Sequence, residues 1–151
     1  MVADLAAAAV LARRLAARLR PGDVVGLAGP LGAGKTTLVR LIIEALGIGE
    51  EVPSPTFNLV LTYPTAAGEV WHFDLFRLKA AEEALELGID EAFAEAISLI
   101  EWPERLGPLV PADCLEMRLE PLNSDERRRL VWRAGGPRAR DLAGALAEPA
   151  R

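Results

Sequence analysis

Gly29-Pro30-Leu31-Gly32-Ala33-Gly34-Lys35-Thr36-Thr37 is the stretch from which the rest of this chain is read. Its first eight residues fit G-x-x-x-x-G-K-[ST], the pattern of a loop that wraps a polyphosphate. Gly29, Gly32 and Gly34 let the backbone turn N–H groups inward and approach an anion closely, and Leu31 and Ala33 lend backbone to the same cradle. Lys35 can reach the β- and γ-phosphates, and the Thr36 hydroxyl can hold Mg²⁺. Thr37 continues into a helix whose positive end faces the anion.

The flanks decide whether such a match has meaning. Upstream, Asp23 to Ala28 is a short apolar run suited to a buried parallel strand. Downstream, Leu38, Val39, Leu41, Ile42, Ala45 and Leu46 recur at helical spacing. Strand, glycine loop and helix form the required setting.

The chain has 151 residues, 51% of them hydrophobic, which suits one domain with a good core. No apolar run is long enough to span a membrane, and the N-terminus lacks the pattern of a signal peptide. The single cysteine, Cys114, excludes an intramolecular disulfide and fits a reducing cytoplasm. A net charge of −5 disfavours tight binding of bare nucleic acid.

Before the loop, Asp4 to Leu19 reads as an amphipathic helix capped by Asp4. After it, Val52-Pro53-Ser54-Pro55-Thr56-Phe57 is an extended loop, held open by two prolines, that presents Ser54 and Thr56. Residues 58–63 and 70–74 read as two strands joined by a turn over 64–69. Ala80 to Leu87 reads as a helix ended by Gly88, and Asp90 to Ala96 as another short one. Ile97 to Trp102 is a buried strand carrying an acid near its tip. Cys114 to Glu120 and Arg128 to Arg133 suit an antiparallel pair. From Gly135 onward the composition suggests a loose or weakly helical tail, so the domain is placed at 1–135 and the tail at 136–151.

A nucleotide site also needs groups for the metal and the γ-phosphate. Asp74 ends a strand and can support Mg²⁺. Glu101 ends another and can complete the metal shell or orient water, since ligands of open α/β sheets lie off the C-terminal strand ends. Thr56 stands where switch loops place a hydroxyl on the metal and γ-phosphate. For Trp102, core packing is the better reading from the residues alone. His72 reads as a hydrogen-bonded structural residue.

These blocks together resemble a known family. Gly29 to Thr37, Val52 to Phe57, His72-Phe-Asp-Leu-Phe-Arg-Leu78, Glu86-Leu-Gly88 and Ile100-Glu-Trp-Pro-Glu104 are similar, in order and spacing, to the bacterial TsaE (YjeE) ATPases of tRNA threonylcarbamoyladenosine biosynthesis. The resemblance implies an α/β, P-loop NTPase-like three-layer domain, its largely parallel central sheet extended by antiparallel hairpins. It implies ATP/ADP and Mg²⁺ as cofactors, TsaB and TsaD as partners, and tRNA contact mainly through them. It implies that Lys35 and Thr36 bind phosphate and Mg²⁺, that Asp74 serves the metal, and that Thr56 senses the γ-phosphate. Glu101 and Trp102 would complete the active end.

Three positions depart from the family pattern. Pro30 replaces a usual acid, Phe76 a usual tyrosine, and Ala8 lies about where a hydroxyl is common. The chain also begins directly at its first predicted helix, without the upstream strand. A GTPase is disfavoured, because the guanine-reading Asn/Thr-Lys-x-Asp motif is absent. A P-loop small-molecule kinase and a nucleotide-gated binding module with negligible turnover are the alternatives.

The loop generates one direct expectation. Lys35→Ala removes a charge-assisted phosphate contact and weakens Mg²⁺-dependent ATP binding strongly. Calorimetry checks this, and equal affinity in the variant and wild type would refute the assignment.

Overall fold

The computed structural model describes residues 2–47, 59–122 and 127–147. Contrary to the expectation that no strand precedes the first helix, a two-residue strand β1 (Val2–Ala3) leads into helix α1 (Leu5–Ala16), whose N-cap Asp4 accepts the Ala7 N–H at 2.9 Å. Strand β2 (Val24–Ala28), buried at every position, feeds the glycine loop and helix α2 (Lys35–Ala45). A hairpin follows, β3 (Val60–Thr65) and β4 (Gly68–Asp74). Next come the short helices α3 (Glu83–Glu86) and α4 (Ile89–Glu95). Strand β5 (Ile97–Glu101) leads into a 3₁₀ segment over Pro103–Leu109. The chain closes with β6 (Leu115–Pro121), β7 (Arg128–Ala134) and helix α5 (Pro137–Leu146).

One sheet runs in the order β1-β7-β6-β2-β5-β4-β3. Its four inner strands β6, β2, β5 and β4 are parallel, and the antiparallel partners β7 and β3 extend it on either side. Strands β2 and β5 are buried on both faces, as a doubly covered sheet requires, whereas β6 alternates and turns Glu116, Arg118 and Glu120 away from its apolar face. One face packs Val25, Leu27, Leu99 and Met117 against Leu11, Leu15, Ile42 and Leu142 of α1, α2 and α5. The other packs Val24, Phe73 and Ile100 against Ala84, Ile89 and Leu106. The result is the expected three-layer α/β architecture.

Several local readings change. The hairpin is tighter than a turn over 64–69: Pro64 and Thr65 belong to β3, pairing with Glu69 and Gly68. Proline is tolerated there because β3 lies at the sheet edge. The expected helix over Ala80–Leu87 narrows to α3, and Gly88, with φ +83°, opens α4. Residues 137–146 form a ten-residue helix that buries Ala139, Leu142, Ala145 and Leu146. Its short apolar stripe is muted by arginine and glycine in the sequence, yet it closes the core beside α1. Cys114 is a buried free thiol, and burial pushes its pKa up to about 11.

An ion pair ties α5 to the start of β2. Arg138 meets the buried Asp23 through Nε at 2.8 Å and Nη2 at 2.9 Å, and also donates to the Arg18 carbonyl. The Asp23 hydrogen bond raises the pKa of the guanidinium. Removing only the cation leaves a buried carboxylate with the Arg20 N–H as its remaining neighbour. Arg138→Met is therefore expected to cost about 3 kcal/mol. Urea titration should show a lowered midpoint at unchanged slope. Adding Asp23→Asn should restore part of the loss, because the uncompensated charge is gone.

Candidate nucleotide site

The parallel register sets the site. Leu27 pairs with Glu101 across β2 and β5, and Asp74 pairs with Glu101 across β4 and β5. The C-terminal ends of three neighbouring strands therefore converge beside the glycine loop. Two backbone bonds continue the alignment past the strand ends, from Trp102 N–H to the Leu27 carbonyl and from Leu75 N–H to the Glu101 carbonyl, both 3.2 Å.

The loop turns at Gly29, Gly32 and Gly34, with φ of +140°, +78° and +98°. A Cβ on Gly29 would collide with the Leu119 carbonyl, so this glycine is sterically required. Ala33 is fully buried, whereas the Leu31 side chain projects into solvent, so Leu31 offers the site its backbone. Gly34 caps α2 without a side chain, leaving the helix N-terminus open toward the cleft.

A cleft of about 370 Å³ is lined by the loop, Asp74, Phe76, Glu101, Trp102 and Arg128. The Lys35 ammonium donates to the carbonyls of Gly29 and Pro30, the latter at 2.9 Å, and lies 4.1 Å from the Trp102 ring centroid. Burial lowers its pKa, opposed by the carboxylates of Glu101, Glu104 and Asp74. The Thr36 hydroxyl donates to Glu101 Oε1 at 2.7 Å. Glu101 Oε2 faces His72 Nε2 at 2.6 Å. Asp74 accepts the Phe76 N–H at 3.2 Å, and burial raises its pKa against that bond.

Lys35, Thr36, Asp74, Glu101 and Trp102 are thus brought together, with exposed Thr37 at the rim. Thr56 and Ser54 lie outside the described residues. Trp102 joins both of the roles weighed for it. It packs on the core at its inner side and lines the cleft, stacking on Phe76 with centroids 4.9 Å apart. Its backbone is left-handed at φ +62°, a strain of about 1–2 kcal/mol for a residue with a Cβ, which turns the chain sharply out of β5.

The donor set fits Mg²⁺. A hydroxyl and two carboxylates are hard oxygen ligands, and Thr36 retains lone pairs while its proton points to Glu101. A second pocket of about 300 Å³ adjoins the cleft and shares Ala33, Gly34, Thr37 and Arg128 with it. Its remaining walls are mostly apolar, from Leu5 and Ala8 of α1, Leu38 and Leu41 of α2, and Leu119 and Leu130 of the sheet.

Arg128 is the residue that sequence reasoning missed. It lies at the boundary of the two pockets and donates from Nε to the Ala33 carbonyl at 3.0 Å and from Nη2 to the Gly32 carbonyl at 3.4 Å. In a trans peptide the carbonyl and the following N–H point opposite ways, so holding Ala33 C=O outward turns the Gly34 N–H inward. No local signal marks this role, because 95 residues separate the partners. Arg128→Ala should loosen the loop and weaken ADP binding about tenfold, the scale of a charged hydrogen bond. Calorimetry at fixed Mg²⁺ checks this, and unchanged affinity would show that the loop holds its shape without the arginine.

Comparison with known proteins agrees with this geometry. The family model described as threonylcarbamoyl adenosine biosynthesis protein TsaE matches residues 2–130. The tRNA threonylcarbamoyladenosine biosynthesis protein TsaE of Rickettsia felis is 46% identical over 121 residues, covering 80% of this chain and 70% of that protein. Its Bacillus subtilis counterpart is 35% identical over 137 residues, covering 90% and 85%. The crystal structure of Bacillus subtilis YdiB superposes with a TM-score of 0.79 at 29% identity, covering 97% of this chain and 93% of that one. A glycine loop, a matched pair of strand-tip acids and relatives of this similarity lead to one conclusion: the chain belongs to the TsaE family.

Proposed function

We propose that this chain is the Mg²⁺-dependent ATPase of the machinery that makes threonylcarbamoyladenosine in tRNA, supporting turnover of a TsaB–TsaD complex. The observation that carries the reading is the Thr36–Glu101 hydrogen bond, which joins the loop's hydroxyl to the acid at the tip of the adjacent strand. Lys35 would hold the β- and γ-phosphates. Thr36 and Glu101 would hold Mg²⁺, with Asp74 one strand further along. When bound, the ion neutralises charge on the phosphate oxygens.

The adjoining apolar pocket suits the base. Its aliphatic walls offer a purine its faces, and Arg128 marks the passage between base and phosphates. Ala8 contributes a methyl to this pocket, so base binding here relies on apolar contact. Thr56 would reach the γ-phosphate from the preceding loop, and Glu101 would place the attacking water. The kinase alternative needs a mobile arginine lid, whereas Arg128 is tied to loop carbonyls.

Two variants separate the roles of the acids. Glu101→Gln keeps an acceptor for Thr36 and removes the charge. At saturating Mg²⁺ nucleotide affinity should stay close to wild type, while hydrolysis stimulated by TsaB and TsaD falls about 10²-fold or more. Asp74→Asn should weaken Mg²⁺ dependence and affinity together. Hydrolysis at the wild-type rate in Glu101→Gln would make this acid a structural strand end. Binding by wild type without turnover, even with both partners, would favour the nucleotide-gated binding module.

A further inference from the structure

We propose that His72 is the positioning residue of Glu101, holding one carboxylate oxygen so that the other stays on Thr36 and the carboxylate presents one fixed orientation to the metal. This inference rests on the reading of the cleft as a Mg²⁺–nucleotide site. His72 pairs with Leu99 across β4 and β5, and Glu101 follows two residues along β5. The strand alternation places His72 with Val70 on the α2 side of the sheet, the side from which Thr36 approaches. His72 is fully buried and Glu101 is 2% exposed.

The burial of this ring needs a reason. A carboxylate only accepts, so Nε2 carries the proton toward Glu101 Oε2. Nδ1 is also buried and has no hydrogen-bond partner among the described residues. An apolar side chain would fill the position without that unpaired nitrogen, so the polar gain of the ring rests on its contact with Glu101. Thr36 meets the other oxygen. Donors from β4 and α2 therefore grip both ends of one carboxylate, which cannot rotate without breaking a bond. Outer-shell partners of this kind orient a metal ligand without touching the metal.

The chain has a single histidine, so its ring nitrogens can be read without assignment. In the full ¹⁵N-labelled protein, long-range ¹H–¹⁵N spectra should show a proton held on Nε2 in a hydrogen bond. Glu101→Gln should shift that nitrogen. Mg²⁺–ADP should move the ring signals more than ADP with a chelator does, while the amides of Gly34, Lys35 and Thr36 report nucleotide binding itself. Moving amides with an indifferent ring would overturn the positioning role and leave the nucleotide site standing. Amides indifferent to Mg²⁺–ADP would overturn both.

Two substitutions provide the rescue test. Gln can place an amide nitrogen where Nε2 stands, whereas Asn places it nearer Nδ1, short of Glu101. His72→Asn should raise the Mg²⁺ concentration needed for half-maximal ADP binding about tenfold or more, and His72→Gln should recover most of that loss. Equal behaviour of the two variants would overturn the proposal. If His72→Asn fails to fold, the wild-type spectra decide alone.

Discussion

The Thr36 hydroxyl and the Glu101 carboxylate lie 2.7 Å apart although 65 residues separate them. That distance is the constraint on which the rest depends. It requires β2 and β5 to be parallel neighbours in one register, because a slip of one residue would turn Glu101 to the opposite face. It requires the glycine loop to return the chain so that α2 starts directly above the tip of β5. The buried aliphatic layer between α2 and the sheet holds both elements in place.

The same layer explains where polarity is permitted. Charge is almost absent inside the sheet, and the buried polar side chains Lys35, His72 and Glu101 gather at or near its C-terminal end. Ser98 and Asp23 are buried lower down, and Asp23 is matched by Arg138. One end of the parallel strands is thus stitched by an ion pair that closes α5 onto the core. The other end carries the buried polar cluster beside the glycine loop.

Much of this was legible in the residues. The glycine loop, its flanking strand and helix, and the two strand-tip acids are local patterns, because each depends on a few consecutive side chains. The hairpin and the β6–β7 pair were legible from alternation, with ends shifted by a few residues. What remained hidden were contacts made by chain return. Arg128 reads as one arginine among several, and only the antiparallel return of β7 brings it beneath the loop. His72 was correctly read as hydrogen-bonded, yet its partner depends on the β4–β5 register, which alternation alone does not specify. Helix α5 was under-read because its apolar face is small and interrupted by arginines.

The sealed thiol of Cys114 has a practical consequence. With its pKa pushed to about 11 and the sulfur buried beside the 3₁₀ segment, almost none of it is thiolate at neutral pH. It is the chain's only cysteine. The raised pKa and the burial both slow its reaction with maleimides and mild oxidants, so one cysteine introduced on the surface would be by far the most reactive thiol of the folded protein. Probes for distance measurements across the cleft can be attached singly, without first altering the native core.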